Sequence, residues 1–303
     1  MYTNGKAEQT LGVRLTRMKY ELVGIPDETA LDRPQKLDGV ERVLQSPLKR
    51  LNSLLGLLMK QTPESVEEYA SNLESKFSGL VGTNYVVERS IDLKHHMNEL
   101  EYIKEYPTLA EISLNYLLGE LKMPIDSEWS DDMQVVQRDY LRAFLSSRYH
   151  NVDVLTETVG REQAIKIYKE HFEKVTEQWV EKAEERYKNL DEFVKDTKTE
   201  DPENPGWMRL VGEAENGKVV FRKDTCLWAD AMQEYPDSEL KFLVCCYGDY
   251  TSIKSGNRNF ALTMEHSIAG GHPYCDCVVY DTRINNEFEH PPDEFFANLK
   301  PST

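Results

Sequence analysis

A chain of 303 residues, 40% hydrophobic and 29% charged, is long enough for one large core or two moderate ones and too apolar for wholesale disorder. Its formal charge of −17 repels phosphate backbones and anionic lipid, which argues against nucleic-acid and membrane partners. No segment reaches the ~18 consecutive apolar residues of a membrane span, the first residues lack the apolar stretch of a secretory signal, and the cysteine count is an odd five, so the expectation is a cytoplasmic protein with reduced thiols.

Residues 1–36 carry no sustained periodicity and read as an irregular arm. Residues 37–159 read as a helical region. Ser46-Pro47 resembles a cap followed by proline at the first helical position, with Leu48, Leu51, Leu55 and Leu58 on one face. Thr62-Pro63 repeats that start signal ahead of Val66, Leu73 and Phe77. Thr108-Leu-Ala-Glu111 has capping-box spacing before Ile112, Leu114, Leu117 and Leu121. A further amphipathic stretch carries Val136, Tyr140, Phe144 and Leu145. His95-His96 read as a solvated pair on a helix surface. The acidity as a whole reads as solvated helix faces.

The strongest periodicity runs from Arg161 to about Val194, through Tyr168, Phe172, Val175, Trp179, Ala183, Tyr187 and Leu190, and predicts one long helix with a core-facing seam. The breaker-rich stretch KTEDPENPGW then marks a boundary. Beyond it the pattern becomes strand-like. Asn216-Gly217 between two short apolar runs is a tight β-hairpin signal. DTCLWADAMQEY and DSELKFLVCCYGDYTSI read as helices, the second from an Asp/Ser cap, and NFALTMEHSIAGG and YCDCVVYDTR as strands joined by a Gly-Gly-His-Pro turn. Residues 160–285 are thus a long helix followed by ββααββ, and 286–303 an extended tail. The fold class expected is α+β: a helical N-terminal region, then an antiparallel sheet with helices packed on one face.

All five cysteines lie between Cys226 and Cys277, and none has the C-x-x-C spacing of a zinc knuckle or redox pair. Cys246 and Asp249, three apart on an expected helix, share a face. On a strand, Cys275 and Cys277 point to one side and Asp276 to the other. His266 and His272 lie close in sequence. Any one of these thiols taken alone reads equally well as a small buried hydrophobe; their grouping with carboxylates and imidazoles points to a site.

The series Cys226, then Cys246-Tyr-Gly-Asp249, then Gly271-His-Pro-Tyr-Cys275-Asp276 resembles the L-2-amino-thiazoline-4-carboxylic acid hydrolase family over about residues 160–285. That family places an aromatic residue after the final Cys-Asp, where this chain has Cys277. The resemblance implies an α+β fold distantly similar to the 4-vinyl-reductase type of small-molecule-binding domain. It also implies hydrolytic opening of a cyclic, amidine-like C–N bond in a small heterocyclic substrate.

Such a reaction needs a nucleophile, a proton for the departing nitrogen and a holder for the ring. Cys275 or Cys246 suits the first task, with Asp249 or His272 as base and later acid. Cys226, His266 and Asp276 complete the pocket, and Arg258 or Arg283 is placed to pair with a substrate carboxylate. No cofactor is required in this reading; its variant is a divalent metal that activates water on Cys, His and Asp ligands. The rival readings are a non-hydrolytic tailoring enzyme (an isomerase or cyclase of a nitrogen heterocycle), a non-catalytic small-molecule-binding domain, and an interaction protein whose helical half does the work. Long amphipathic helices in that half also suit a homodimer.

Overall fold

The computed structural model describes residues 19–24, 26–37, 39–82, 97–123, 133–182, 184–199 and 207–302. His95 and His96 lie outside the described residues, as does most of the KTEDPENPGW stretch. No helix among the described residues is long and apolar enough to cross a membrane. The fold is α+β, helical first and antiparallel sheet after. Contacts divide the described chain into two compact units. One takes the residues up to Ala30, Thr176–Asp230 and those from Cys246 onwards; the other takes Leu31–Val175 and Ala231–Cys245. The division falls inside a helix, and both flanks of KTEDPENPGW lie in the same unit.

The helical unit contains α1 (Val40–Gln61), α2 (Val66–Leu80), α3 (Pro107–Glu120), α4 (Gln137–Val159), most of α5 (Arg161–Lys182), the later helix α8 (Ser238–Cys245), and a two-stranded ribbon of β2 (Pro34–Lys36) and β3 (Gln134–Val136). Helix α1 starts seven residues before Pro47, not at it. Proline inside a helix costs about 3 kcal/mol. The added turns bury Val43 and Leu44 beside Leu48, Leu51, Leu55 and Leu58, and each such side chain returns roughly 1.5–3 kcal/mol. Helix α3 likewise starts at Pro107, with Tyr106 at its cap and no side-chain cap bond. The fixed φ of proline starts this helix two residues earlier than a cap at Thr108 would.

The long helix expected over 161–194 is two helices. α5 ends at Lys182, and α6 (Leu190–Lys198) restarts behind a capping box: Asn189 Oδ1 accepts the Glu192 N–H at 3.0 Å, and the Glu192 carboxylate accepts the Lys188 N–H at 2.8 Å. Between them the Arg186 and Tyr187 N–H groups both donate to the Gly256 carbonyl, at 2.9 and 3.0 Å.

The second unit is built on an antiparallel sheet in the order β1-β4-β5-β7-β6: β1 (Tyr20–Val23), β4 (Arg209–Gly212), β5 (Lys218–Lys223), β7 (Cys275–Asp281) and β6 (Phe260–Thr263). Residues 1–36, expected to be irregular, supply the edge strand β1, whose Tyr20 lies opposite Gly212. The β4–β5 hairpin turns at Asn216 and Gly217, with φ of 52° and 72°, the pair of left-handed residues that a two-residue turn requires.

Strand alternation gives the sheet two faces. On one, Phe193 of α6 meets the rings of Phe221 and Phe260, and α9 (Asp249–Gly256) packs on β6. The other is covered by residues 286–302. This segment contains α10 (Asp293–Ala297), and its Phe295, Phe296 and Leu299 are buried with Tyr20, Leu210, Val220, Val278 and Tyr280. It is clasped to the edge strand where Ser302 N–H donates to the Tyr20 carbonyl at 2.7 Å. The tail is therefore core, not a surface extension, because its aromatic pair has an apolar sheet face to fill.

Candidate active site

Lys223, at the end of β5, lies directly opposite Cys275 at the start of β7, and Phe221 lies opposite Cys277. Opposed residues in a ladder share a face, so Lys223, Cys275 and Cys277 point to the same side. Asp249, the first residue of α9, reaches that side and holds the Lys223 ammonium, Nζ to Oδ2 at 2.9 Å. Cys226, just before α7 (Leu227–Ala231), joins them: its thiol senses the charges of Lys223 and Cys275 and accepts the Ala229 N–H at 3.5 Å.

The cluster sets its own protonation. Burial pushes the Cys226 thiol up to about 11, and the Lys223 charge opposes that rise. Burial also raises Cys275, against which its sulfur accepts the Ile268 N–H at 3.3 Å and feels Lys223. Cys277 is raised too, again by burial and again with Lys223 pulling it down. Burial works against the Lys223 ammonium, but Asp249 overcomes it and holds the lysine charged. The resting state is thus three thiols facing one ammonium–carboxylate pair, each thiol held closer to ionisation by the lysine.

Cys246 does not share a helix face with Asp249. The expected helix over 237–253 divides into α8 and α9, and Cys246 sits in the turn between, its carbonyl accepting the Asp249 N–H at 2.9 Å. Gly248, at the cap of α9, follows it in that turn. The Cys246 thiol is buried. Its link to the group is the phenol of Tyr250, which is pushed up to about 12 by burial and then by the charges of Cys277, Asp276, Cys246 and Asp249.

Asp276 belongs to the opposite face, paired in register with Arg222. Its fully buried carboxylate is gripped from all sides. Oδ1 accepts the N–H groups of Glu265 and His266 at 2.8 and 2.7 Å. Oδ2 lies 2.6 Å from His266 Nδ1 and 3.2 Å from His290 Nε2. This grip explains why β6 stops at Thr263 instead of running on to Gly271: the next backbone donors serve a side chain and not a ladder. Burial would raise the Asp276 carboxyl, but His290 and the donors of His266 outweigh it and hold it below the usual range. The same hydrogen bond raises His266. His272 stands against His266, ring centres 4.4 Å apart, so it too belongs to this face and not with the thiols. One ligand atom from each of His266, Asp276 and Asp293 lies within 4.8 Å of the other two; two carboxylates and an imidazole are a donor set suited to a divalent cation.

Arg258 and Arg283 are occupied elsewhere. Arg283 holds Asp281 through two bonds of 2.8 and 2.6 Å and reaches the Lys188 carbonyl, six positions along β7 from Cys275 and about 20 Å away. Arg258 precedes β6 at that same far end and contacts the Glu181 carbonyl at 3.4 Å. Neither sits where a substrate carboxylate held at the thiols would reach it. The cation at that place is Lys223, which the reading of the sequence passed over. Its signal was present: Val219, Phe221 and Lys223 alternate along KVVFRK, so a lysine ends an otherwise apolar stripe. His290 and Asp293 had no local signal, since their role arises only when the tail folds onto the sheet.

Residues 141–279 match the family described as L-2-amino-thiazoline-4-carboxylic acid hydrolase, so the resemblance carried by the Cys and Asp motifs holds for the C-terminal part of the chain, a little under half of its length. The match takes in every thiol, Lys223, Asp249, His266 and Asp276. At the level of that family it supports a hydrolase acting on a thiazoline-like ring. No curated protein and no solved structure matches the chain.

Proposed function

We propose that the protein is a hydrolase that opens a C–N bond of a small nitrogen heterocycle of the cyclic amidine or thiazoline type, with Cys275 as nucleophile. The observation that carries this reading is the Lys223–Asp249 pair seated opposite Cys275, inside the segment that matches the family. Cys275 loses its proton to Asp249, and its thiolate, favoured by the Lys223 ammonium, adds to the amidine carbon. The ring C–N bond then breaks, and the nitrogen takes the proton from Asp249. Water adds to the enzyme-bound carbon and expels the thiolate, so the net change is the addition of one water. Cys226 and Cys277 line the same face. The Asp276–His266–His290 group shapes the loop of residues 264–274 whose Ile268 N–H holds the nucleophile.

The test is mass-spectrometric detection of ring-opened product from L-2-amino-thiazoline-4-carboxylic acid and from related cyclic amidines. Wild-type protein is expected to turn over at least one of them. K223M is expected to move the rising limb of the pH–rate profile to higher pH, because loss of the ammonium raises the thiol pKa, and to lose about tenfold in rate at pH 7 for each unit of that rise. An unchanged profile in K223M would refute the role given to the lysine.

A further inference from the structure

The sheet face opposite the thiols carries a second cluster, which the hydrolase reading uses only as scaffolding. It converges on Asp276 Oδ2, the other oxygen being taken by the N–H groups of Glu265 and His266. Around Oδ2 stand His266 Nδ1 at 2.6 Å and His290 Nε2 at 3.2 Å. Asp293 Oδ1 lies 3.0 Å from the same His266 nitrogen. Two carboxylates thus crowd one ring nitrogen. A single N–H points along one line and serves one acceptor well, whereas a cation draws in several donors at once.

His290 points to a ligand independently. Its side chain is only 6% exposed, and its Nε2, though turned to the cluster, is not aligned with any acceptor for a hydrogen bond. The rest of the ring is fixed: Nδ1 lies 2.8 Å from Thr263 Oγ1, and the ring stacks on Phe296 with centres 5.3 Å apart. An imidazole anchored through one nitrogen, with the other presented to carboxylates, is the arrangement of a metal ligand. The run His290-Pro-Pro-Asp293 sets both tail groups on a backbone with two fixed φ angles, so little freedom is lost when they close on an ion. The Asp293 side chain is 65% exposed, which opens the cluster to solvent. Donor atoms held at about 2.1 Å from a tetrahedral ion stand roughly 3.4 Å apart. The separations of 3.0 and 3.2 Å are near that, and the shorter one opens as coordination replaces the hydrogen bond. Two imidazoles with two carboxylates suit zinc and similar transition cations, whereas magnesium and calcium favour oxygen donors alone.

We propose that His266, Asp276, His290 and Asp293 bind one divalent transition cation of the zinc type, which ties the loop of residues 264–274 and the C-terminal tail to the sheet. The site is independent of the thiol cluster and of the reaction proposed there. His290 and Asp293 lie beyond the segment that matches the family.

Thermal melts of the full chain test it, after stripping with a chelator and titration with zinc chloride or magnesium chloride alone. The wild-type Tm is expected to rise by several degrees at about a hundredfold excess of zinc over Kd, and to stay unchanged with magnesium. D293N alters an exposed side chain, and its fold is checked by circular dichroism. It is expected to need at least about tenfold more zinc for the same rise, and H290Q likewise. If H290Q does not fold, D293N decides alone. Thiols also take zinc, so a zinc dependence unchanged in these variants places the ion elsewhere and overturns the site. A wild-type Tm that zinc leaves unmoved, or that magnesium raises equally, overturns it as well.

Discussion

Cys275 and Asp276 are joined by one peptide bond and face opposite sides of the sheet. The thiol belongs to the chemistry and the carboxylate to the architecture around it. Removing the Asp276 charge leaves His266 and His290 facing an amide instead of a carboxylate, and breaking a buried pair in this way costs on the order of 3 kcal/mol. D276N is therefore expected to be less stable by about that amount at about pH 5–6. The folded-state pKa of Asp276 is depressed, so its contribution is fully present above the ordinary carboxylate value near 3.9. It is lost as pH falls through the lower folded value. Denaturant melts at several pH values should show the full gap between wild type and D276N at about pH 5–6, closing below about pH 4 and narrowing on the alkaline side as His266, raised by the same bond, loses its proton. A gap that widens on acidification below about pH 5 would contradict the assignment.

At the scale of elements, several predicted pieces stand and the misplaced boundaries have local causes. The Asn216-Gly217 hairpin was legible because left-handed backbone needs such residues. The faces of CDC were legible because strand alternation is rigid. The break between α5 and α6 has a signal too, the Asn189-x-x-Glu192 box, which the reading of the apolar period over 161–194 passed over. N189A tests this reading: loss of the cap should lower stability by about 1 kcal/mol in denaturant melts. An unchanged midpoint would mean that the Gly256 carbonyl, which takes two N–H groups between the helices, fixes the break alone. The division of α8 from α9, by contrast, had only Gly248 to announce it. It moved Cys246 off the face assigned to it and left Asp249 free to meet Lys223, which no spacing rule within one helix describes.

At the scale of the molecule, the sequence told the fold class but not where its segments would go. An arm and a tail with weak periodicity were read as peripheral, yet β1 is an edge strand and the last residues fill one face of the sheet. Those contacts join positions nearly three hundred residues apart, and local pattern carries no trace of them. Burial of Phe295, Phe296 and Leu299 is worth roughly 1.5–3 kcal/mol each, comparable in sum with the whole stability of a typical domain. A chain ending at residue 285 is expected to lose its cooperative thermal transition, followed by near-ultraviolet circular dichroism. Retention of a wild-type Tm would show that the tail only decorates the sheet.

The central claim is that the Cys275 thiol, beside Lys223 and Asp249, performs the ring opening. Turnover by C275S against wild type, on whichever cyclic amidine the wild type consumes and with matched circular dichroism, measures it most directly. The account predicts a fall of at least about a thousandfold; a C275S variant that opens the ring at the wild-type rate would contradict it.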